Sequence, residues 1–202
     1  MDPELSIGFP VFNGEIFLKK RLESILSQSF VNYELIISDN ASTDDTDKIC
    51  KEFLKKDSRI KYYRQEKNMG SIQNFKFVLD QAVGKYFVWA ATDDLWENNF
   101  LEKTINVLQK NNSVVGCTSK VKRIGKPVNE FKELQNDSWF QKKQKKLRRH
   151  FRKFGTWSTT GNWHQKAEFY MKKQSGQAIY SVFRREELKK CFKNLPYYSS
   201  DM

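Results

Sequence analysis

Two rhythms of apolar positions alternate over the first 120 residues of the chain. Short apolar runs, ELSIGF, YELIIS (33–38), IKYYR (60–64), KYFVWAA and VVGCTS (114–119), have the length of buried strands. IKYYR is the weakest of them because of its charges. Between the runs, apolar residues recur every three or four positions, the mark of a helix with one buried face. These sets are Leu18, Leu22, Ile25, Leu26 and Phe30 within 16–30; Ile49, Cys50, Phe53 and Leu54; Ile72, Phe75, Leu79 and Ala82; and Leu101, Ile105 and Leu108 within about 98–110. Ser42, Thr43 and Asp44 stand where N-caps of the second helix belong. Alternating strands and helices with short connections imply right-handed crossovers. The expected fold class is therefore α/β, a mainly parallel open sheet with helices on both faces.

After about Lys120 the pattern dissolves. A polar stretch and then KKQKKLRRHFRK (142–153) read as an excursion from the core, and TWSTTGNWHQ (156–165) reads as a binding loop. Periodicity returns in AIYSVFRREELKKCF, a strand leading into a helix.

In an open parallel sheet, ligands sit beyond the carboxyl ends of the strands. Those ends carry PVFNG, DNASTDD, NMG and TDD, so one edge gathers Asn13, Asp39, Asn40, Asn68, Asp93 and Asp94. Asp44 and Asp45 are better read as helix caps. Asp93 and Asp94 follow an apolar strand directly, and adjacent like charges need water or a cation. Carboxylate ligation of Mg²⁺ or Mn²⁺, its shell completed by a diphosphate, meets that need. No GxGxxG and no GxxxxGK[ST] offers another phosphate site.

Composition narrows the setting. Mean hydropathy is −0.73, no apolar run approaches a membrane span, and MDPELSIGFP lacks the features of a signal peptide. Cys50, Cys117 and Cys191 have neither disulfide-framework nor zinc spacing, so a reducing, cytoplasmic setting is expected. Of the net charge of +12, the run 142–153 supplies eight Lys or Arg and no acid. That run is either a solvated face or a patch for anionic lipid, giving a peripheral contact at the inner membrane face. Nucleic acid is disfavoured, because only Phe151 and Phe154 accompany the run as stacking groups.

The segments LSIGFPVFNGEIFLKKRLESILSQSFVNYELIISDNASTDDT and YFVWAATDD, within roughly the first 120 residues, resemble the family 2 glycosyltransferases, inverting enzymes of the GT-A nucleotide-sugar fold. The resemblance implies one domain over 1–202, with a nucleotide-sugar-binding half (1–119) and an acceptor-side half (120–202). It implies that Asp39 accepts a hydrogen bond from the base, and that Pro10, Val11 and Phe12 pack on base and ribose. Asn13, Asn40, Asn68 and Gly70 would complete the donor site. Asp93 would lie against ribose and phosphate, and Asp94 would hold Mn²⁺ or Mg²⁺ on the diphosphate. Asp201 falls where the catalytic base is expected. An Arg that often touches the phosphates after the third strand has no obvious counterpart here; Lys67, Gln73 and Asn74 are its candidates. Asp45 stands where a glycine is common. No QxxRW appears, which points to single-sugar transfer rather than polymerisation.

The donor expected first is a UDP-sugar, and the acceptor a cell-surface glycan or lipid-linked intermediate. Trp139, Phe140, Trp157 and Trp163 are left to an acceptor groove or a partner surface. The chain stops just after the expected base, where family members continue, so a shortened chain is also expected. The alternative is a non-catalytic module of the same fold whose basic segment docks on membrane or nucleic acid. A nucleotidyltransferase is disfavoured, since PVFNG is not the glycine-rich basic loop such an enzyme would carry.

Overall fold

The structure is a computed structural model, and it describes residues 2–120 and 179–193. Element order is β1 (Leu5–Val11), α1 (Glu15–Leu26), β2 (Tyr33–Asp39), α2 (Thr46–Leu54), β3 (Ile60–Arg64), α3 (Ser71–Asp80), β4 (Tyr86–Trp89), α4 (Phe100–Lys110), β5 (Gly116–Cys117), β6 (Val182–Arg184) and α5 (Arg185–Lys193). The chain parts into two compact units, 1–118 with 173–202 and 119–172, and the described fold is that of the first.

The sheet runs β3-β2-β1-β4-β6-β5. Its first four strands are parallel, as the alternation requires, while β6 is antiparallel to both β4 and β5. β1, β2 and β4 are buried almost throughout, which explains why they read as continuous apolar runs. On one face α1, α2 and α4 pack Leu18, Leu22, Ile25, Phe53, Leu101 and Ile105 against the sheet. On the other, α3 and α5 bring Val78, Leu79 and Leu188 against Phe87 and Trp89. Helices therefore cover both faces, as expected.

Several local expectations change. In 114–119 only Gly116–Cys117 is strand, and it reaches β4 only through β6. That pairing spans more than 60 residues of sequence, and no local pattern encodes it. α3 buries Asn74, Val78 and Leu79 and leaves Ile72 half exposed, because buried Asn74 serves Ser38 rather than solvent. Ser42, Thr43 and Asp44 do not cap α2 from its N-cap position, which is Asp45. Ser42 Oγ, the Thr43 N–H and the Asp44 carboxylate bond instead to Asn13 and Glu15 at the β1–α1 connection, apart from one Asp44 bond to Thr46. β6 is anchored by Arg184, whose guanidinium donates to the carbonyls of Leu108 (2.6 Å) and Val114 (2.9 Å) and so satisfies the end of α4. Among the described residues no helix is long and apolar enough to cross a membrane.

Candidate active site

Asp39 ends β2, paired in register with Val11 of β1 and Arg64 of β3. Its carboxylate is fully buried. Oδ1 accepts the Ser42 N–H at 2.9 Å, and Oδ2 accepts from Arg64 Nη1 at 2.8 Å. The Tyr62 hydroxyl lies 3.0 Å from Asp39 Oδ2 and 2.7 Å from Asp47 Oδ1, so its one proton serves one of them at a time. Burial first, then Asp47 and Asp39, push the Tyr62 phenol up, which keeps it a donor. A carboxylate has about four acceptor directions. Three are engaged here, one of them by the proton that Tyr62 shares with Asp47.

The asparagines at this edge hold the loops to one another. Asn40 Nδ2 donates to Asn68 Oδ1 (2.8 Å), while Asn40 Oδ1 accepts the Met69 N–H (2.9 Å). Asn68 Oδ1 also accepts the Gly70 N–H (2.8 Å), and Gly70 enters α3 with φ of 85°, a conformation that favours glycine. Asn13, with φ of 49°, donates its N–H to Ser42 Oγ and accepts the Thr43 N–H, each at 2.9 Å. Asp44 accepts the Glu15 N–H and Glu15 accepts the Asp45 N–H, so the NG and STDD loops cap each other.

Beside β1, on the α3 side, lies a cleft of about 200 Å³. Pro10, Val11, Phe12, Asn40 and Asn68 line it, joined from α3 by Ser71, Asn74 and Phe75. Its volume suits a planar base with part of a sugar rather than a whole nucleotide sugar. Asp39, Asp93 and Asp94 are not in its lining. Asn74, a candidate for the phosphate contact, instead accepts from Ser38 Oγ and donates to the Ser38 carbonyl.

The acidic loop emerges from β4, the other neighbour of β1. It comes close to the β1–α1 turn: a Cβ placed on Gly14 would sit 3.1 Å from Thr92 Cγ2. Helix α1 grips the loop from below. Ser24 Oγ donates to the Trp96 carbonyl (3.2 Å) and accepts the Trp96 N–H (3.1 Å). Gln28 spans the next turn, donating to the Glu97 carbonyl (2.8 Å) and accepting the Leu101 N–H (3.1 Å). Ser29 N–H donates to the Asn98 carbonyl, and the Asn98 amide to the Ser27 carbonyl. The SILSQS stretch is thus the clasp of the acidic loop. Gln28→Ala should cost about 1–3 kcal/mol by leaving the buried Leu101 N–H without its acceptor. Urea unfolding reads the loss; an unchanged midpoint would show that the clasp carries no load.

Asp93 is exposed and Asp94 half buried. Burial first, then the charge of Asp93, push the Asp94 carboxyl up, against the pull of Arg21. Tyr180, just before β6, is raised by burial and by the same two carboxylates. Arg21 is fully buried, and its guanidinium lies 4.0 Å over the Trp96 ring. Burial lowers it to about 10, so it stays charged at neutral pH, and its largest attraction is to Asp94.

Among the described residues no three acidic, His or Cys side chains gather into a metal site. The Asp93–Asp94 pair supplies carboxylate oxygens of the kind that a divalent cation such as Mg²⁺ takes alongside other oxygen ligands and water. Sequence reading missed Arg64 and Arg21. Arg64 gave one signal, a charge ending an otherwise half-apolar strand opposite Asp39. Arg21 gave another, a charge on the apolar face set by Leu18, Leu22 and Ile25. Asp201, the run 142–153 and Trp139, Phe140, Trp157 and Trp163 lie outside the described residues.

Compared with known proteins, residues 6–192 match the sequence profile of the family described as glycosyl transferase family 2. A Haemophilus influenzae protein described as an uncharacterized glycosyltransferase is 35% identical over 113 residues, 56% of this chain and 45% of that one. A Campylobacter jejuni GalNAc(5)-diNAcBac-PP-undecaprenol beta-1,3-glucosyltransferase is 29% identical over 202 residues, 98% of this chain and 57% of that one. The chain thus spans about half the length of these two curated relatives. Among solved structures, S. aureus TarS 1-349 in complex with UDP matches at a TM-score of 0.59 and 20% identity, over 94% of this chain and 49% of that one. Mannosyltransferase PcManGT from Pyrobaculum calidifontis, in complex with GDP-Man and Mn²⁺, gives 0.55 at 22% identity, over 61% and 36%. At these identities the likeness speaks for the fold.

Proposed function

This chain belongs to glycosyl transferase family 2, and from that premise we propose that it moves a single sugar, with inversion, from a nucleoside-diphosphate sugar to an acceptor hydroxyl. The observation that carries the reading is the arrangement about β1: a base-sized cleft on one side and the Asp93–Asp94 pair on the other. A donor laid across the end of β1 would place its base against Pro10, Val11 and Phe12, with Asp39 behind, and its diphosphate towards Asp94. Asn13, Asn40, Asn68 and Gly70 serve by holding the loops that form this floor. Asp93 stands at the open side, where ribose and phosphate would lie.

When bound, Mn²⁺ or Mg²⁺ supplies charge neutralisation to the diphosphate leaving group. The chain must also supply a base. In the proposed step the acceptor oxygen bonds to the anomeric carbon as the carbon–oxygen bond to the diphosphate breaks. The electron pair leaves with the phosphate oxygen, and the acceptor proton passes to the carboxylate of Asp201. The names of two relatives suit a glycan or lipid-linked acceptor. One is the C. jejuni glucosyltransferase, and the other a putative teichuronic acid biosynthesis glycosyltransferase from Bacillus subtilis, 30% identical over 131 residues. A cytoplasmic location with a peripheral membrane contact through 142–153 belongs to the same proposal.

A thermal-shift panel of UDP, GDP, dTDP and CMP, each with Mn²⁺ or with EDTA, tests it. One diphosphate, UDP first, should raise Tm only with Mn²⁺. At a hundredfold excess over Kd the gain is about 2.7 kcal/mol, roughly 5–10 °C for a chain of this size. Hydrolysis of the matching nucleotide sugars then identifies the donor. No shift with any diphosphate would end the reading.

A further inference from the structure

Arg21 is a charge in an apolar place. It sits on the buried face of α1 between Leu18, Leu22 and Ile25, and it is itself fully buried. Among the described residues none of its three guanidinium nitrogens has a hydrogen-bond partner. A buried cation is retained at a cost unless charge pays it back, and a hydrophobic side chain of similar size usually does no worse there. Stacking on Trp96 is a partial return, but a methionine would also cover that ring. The remaining return is electrostatic. Trp96 lies two residues beyond Asp94 and is locked to α1 by both Ser24 bonds, so the clasp holds the guanidinium under the acidic loop.

We propose that Arg21 is an internal counter-cation for the Asp93–Asp94 pair, one that holds the acidic loop formed while no metal is bound and keeps cation affinity low until the donor's diphosphate arrives. The two carboxylates offer two negative charges, and the guanidinium held on Trp96 offsets part of that charge at a distance, with no direct ion pair to either carboxylate among the described residues. A free divalent cation thus meets a weakened site and a like charge behind it. The donor brings further negative charge, so cation and donor bind together rather than in either order. Arg21 acts through Asp94 and touches neither donor nor acceptor, which makes it a positioning residue. The inference rests on the metal reading of Asp94 given above.

The test compares the wild-type chain with Arg21→Lys, which keeps the charge, and Arg21→Met, which keeps the bulk on Trp96. Free Mn²⁺ is counted by its EPR signal, with and without UDP, and Tm is measured in EDTA and in Mn²⁺. Arg21→Met is expected to bind Mn²⁺ alone about tenfold more tightly than wild type. It should also melt lower in EDTA, regain more of its Tm on adding Mn²⁺, and depend less on UDP for metal binding. Arg21→Lys should stay near wild type in all four. Arg21→Gln is the second neutral variant should Arg21→Met not fold. If both neutral variants fail to fold even in Mn²⁺, or if they fold with wild-type Mn²⁺ affinity, Arg21 is only a staple on Trp96 and the inference is overturned. A wild-type chain with no Mn²⁺ response in the presence of any of the four nucleotides defeats the metal reading itself, a different result.

Discussion

Asp94→Asn is expected to abolish the Mn²⁺-dependent thermal shift by the nucleoside diphosphate and to lower sugar transfer by about 10²–10³-fold or more, the usual loss when a group stabilising transition-state charge is removed. It should do so while leaving the metal-free chain folded and close to wild type in stability, the relief of repulsion with Asp93 offsetting the lost attraction to Arg21. Asp94 is half buried and beside Asp93, and its carboxyl is raised by that burial and by that charge, with Arg21 only partly opposing. A raised carboxyl means that ionisation is less favourable in the fold than in the unfolded chain. The stability it contributes is fully present below the unfolded pKa of about 4 and is lost as pH rises through the elevated folded value. In EDTA the wild-type chain should therefore lose, over that range, an increment that the asparagine variant does not. The readout is the difference between the two chains, because depressed carboxyls such as Glu34 and Asp57 titrate in both with the opposite sign. A variant with an intact fold and an undiminished Mn²⁺ response would remove Asp94 from the metal site.

Stability lost to function at one loop also explains what the sequence disclosed and what it withheld. β1, β2 and β4 were legible because a strand buried on both faces is apolar at every position, and their carboxyl ends were legible because polarity begins there abruptly. From the order of elements it followed that Asp39 and Asp94 share one edge, since parallel strands end together. Roles within that edge were less visible. An asparagine that faces a ligand and one that ties two loops look alike in sequence, and Asn13, Asn40 and Asn68 all tie loops. Asn74 reads as a candidate for the phosphate contact only because its partner, Ser38, lies 36 residues away. Ser24 and Gln28 stand outside the apolar set of their helix and drew no role from the sequence, because their acceptors and donors lie about 70 residues on, in the loop they clasp. The strands within 114–119 and AIYSVF were legible, but their antiparallel pairing escaped, because pairing across a long interval leaves no period in the chain. What periodicity encodes is one face of one element. Contacts between loops are set by the whole sheet.

Asp39→Ala is expected to cost about 3 kcal/mol, roughly 6–12 °C in Tm, and to weaken binding of the responding nucleotide by about 10- to 100-fold. The stability term follows from what is left behind. Breaking a buried ion pair from one side costs about 3–5 kcal/mol when the surviving charge stays buried. Arg64 has a side chain that is 41% exposed and can turn to water, so the lower end applies, with the orphaned Ser42 N–H added. The reverse substitution is not equivalent. Arg64→Met leaves a carboxylate at 0% exposure with only the Ser42 N–H and a Tyr62 proton shared with Asp47. It should therefore destabilise at least as much as Asp39→Ala, although Arg64 is the more exposed partner. The double variant should fall well short of the sum, because each single change pays for the other's stranded group. Nucleotide affinity separates the two roles of Asp39. If it reads the base, Asp39→Ala loses affinity in the native range below its Tm, while Arg64→Met, which leaves the carboxylate in place, keeps most of it. If both variants bind the nucleotide as wild type does and differ only in melting, Asp39 is a brace between β2, β3 and the STDD loop, and recognition of the base falls to the backbone of Pro10 to Phe12.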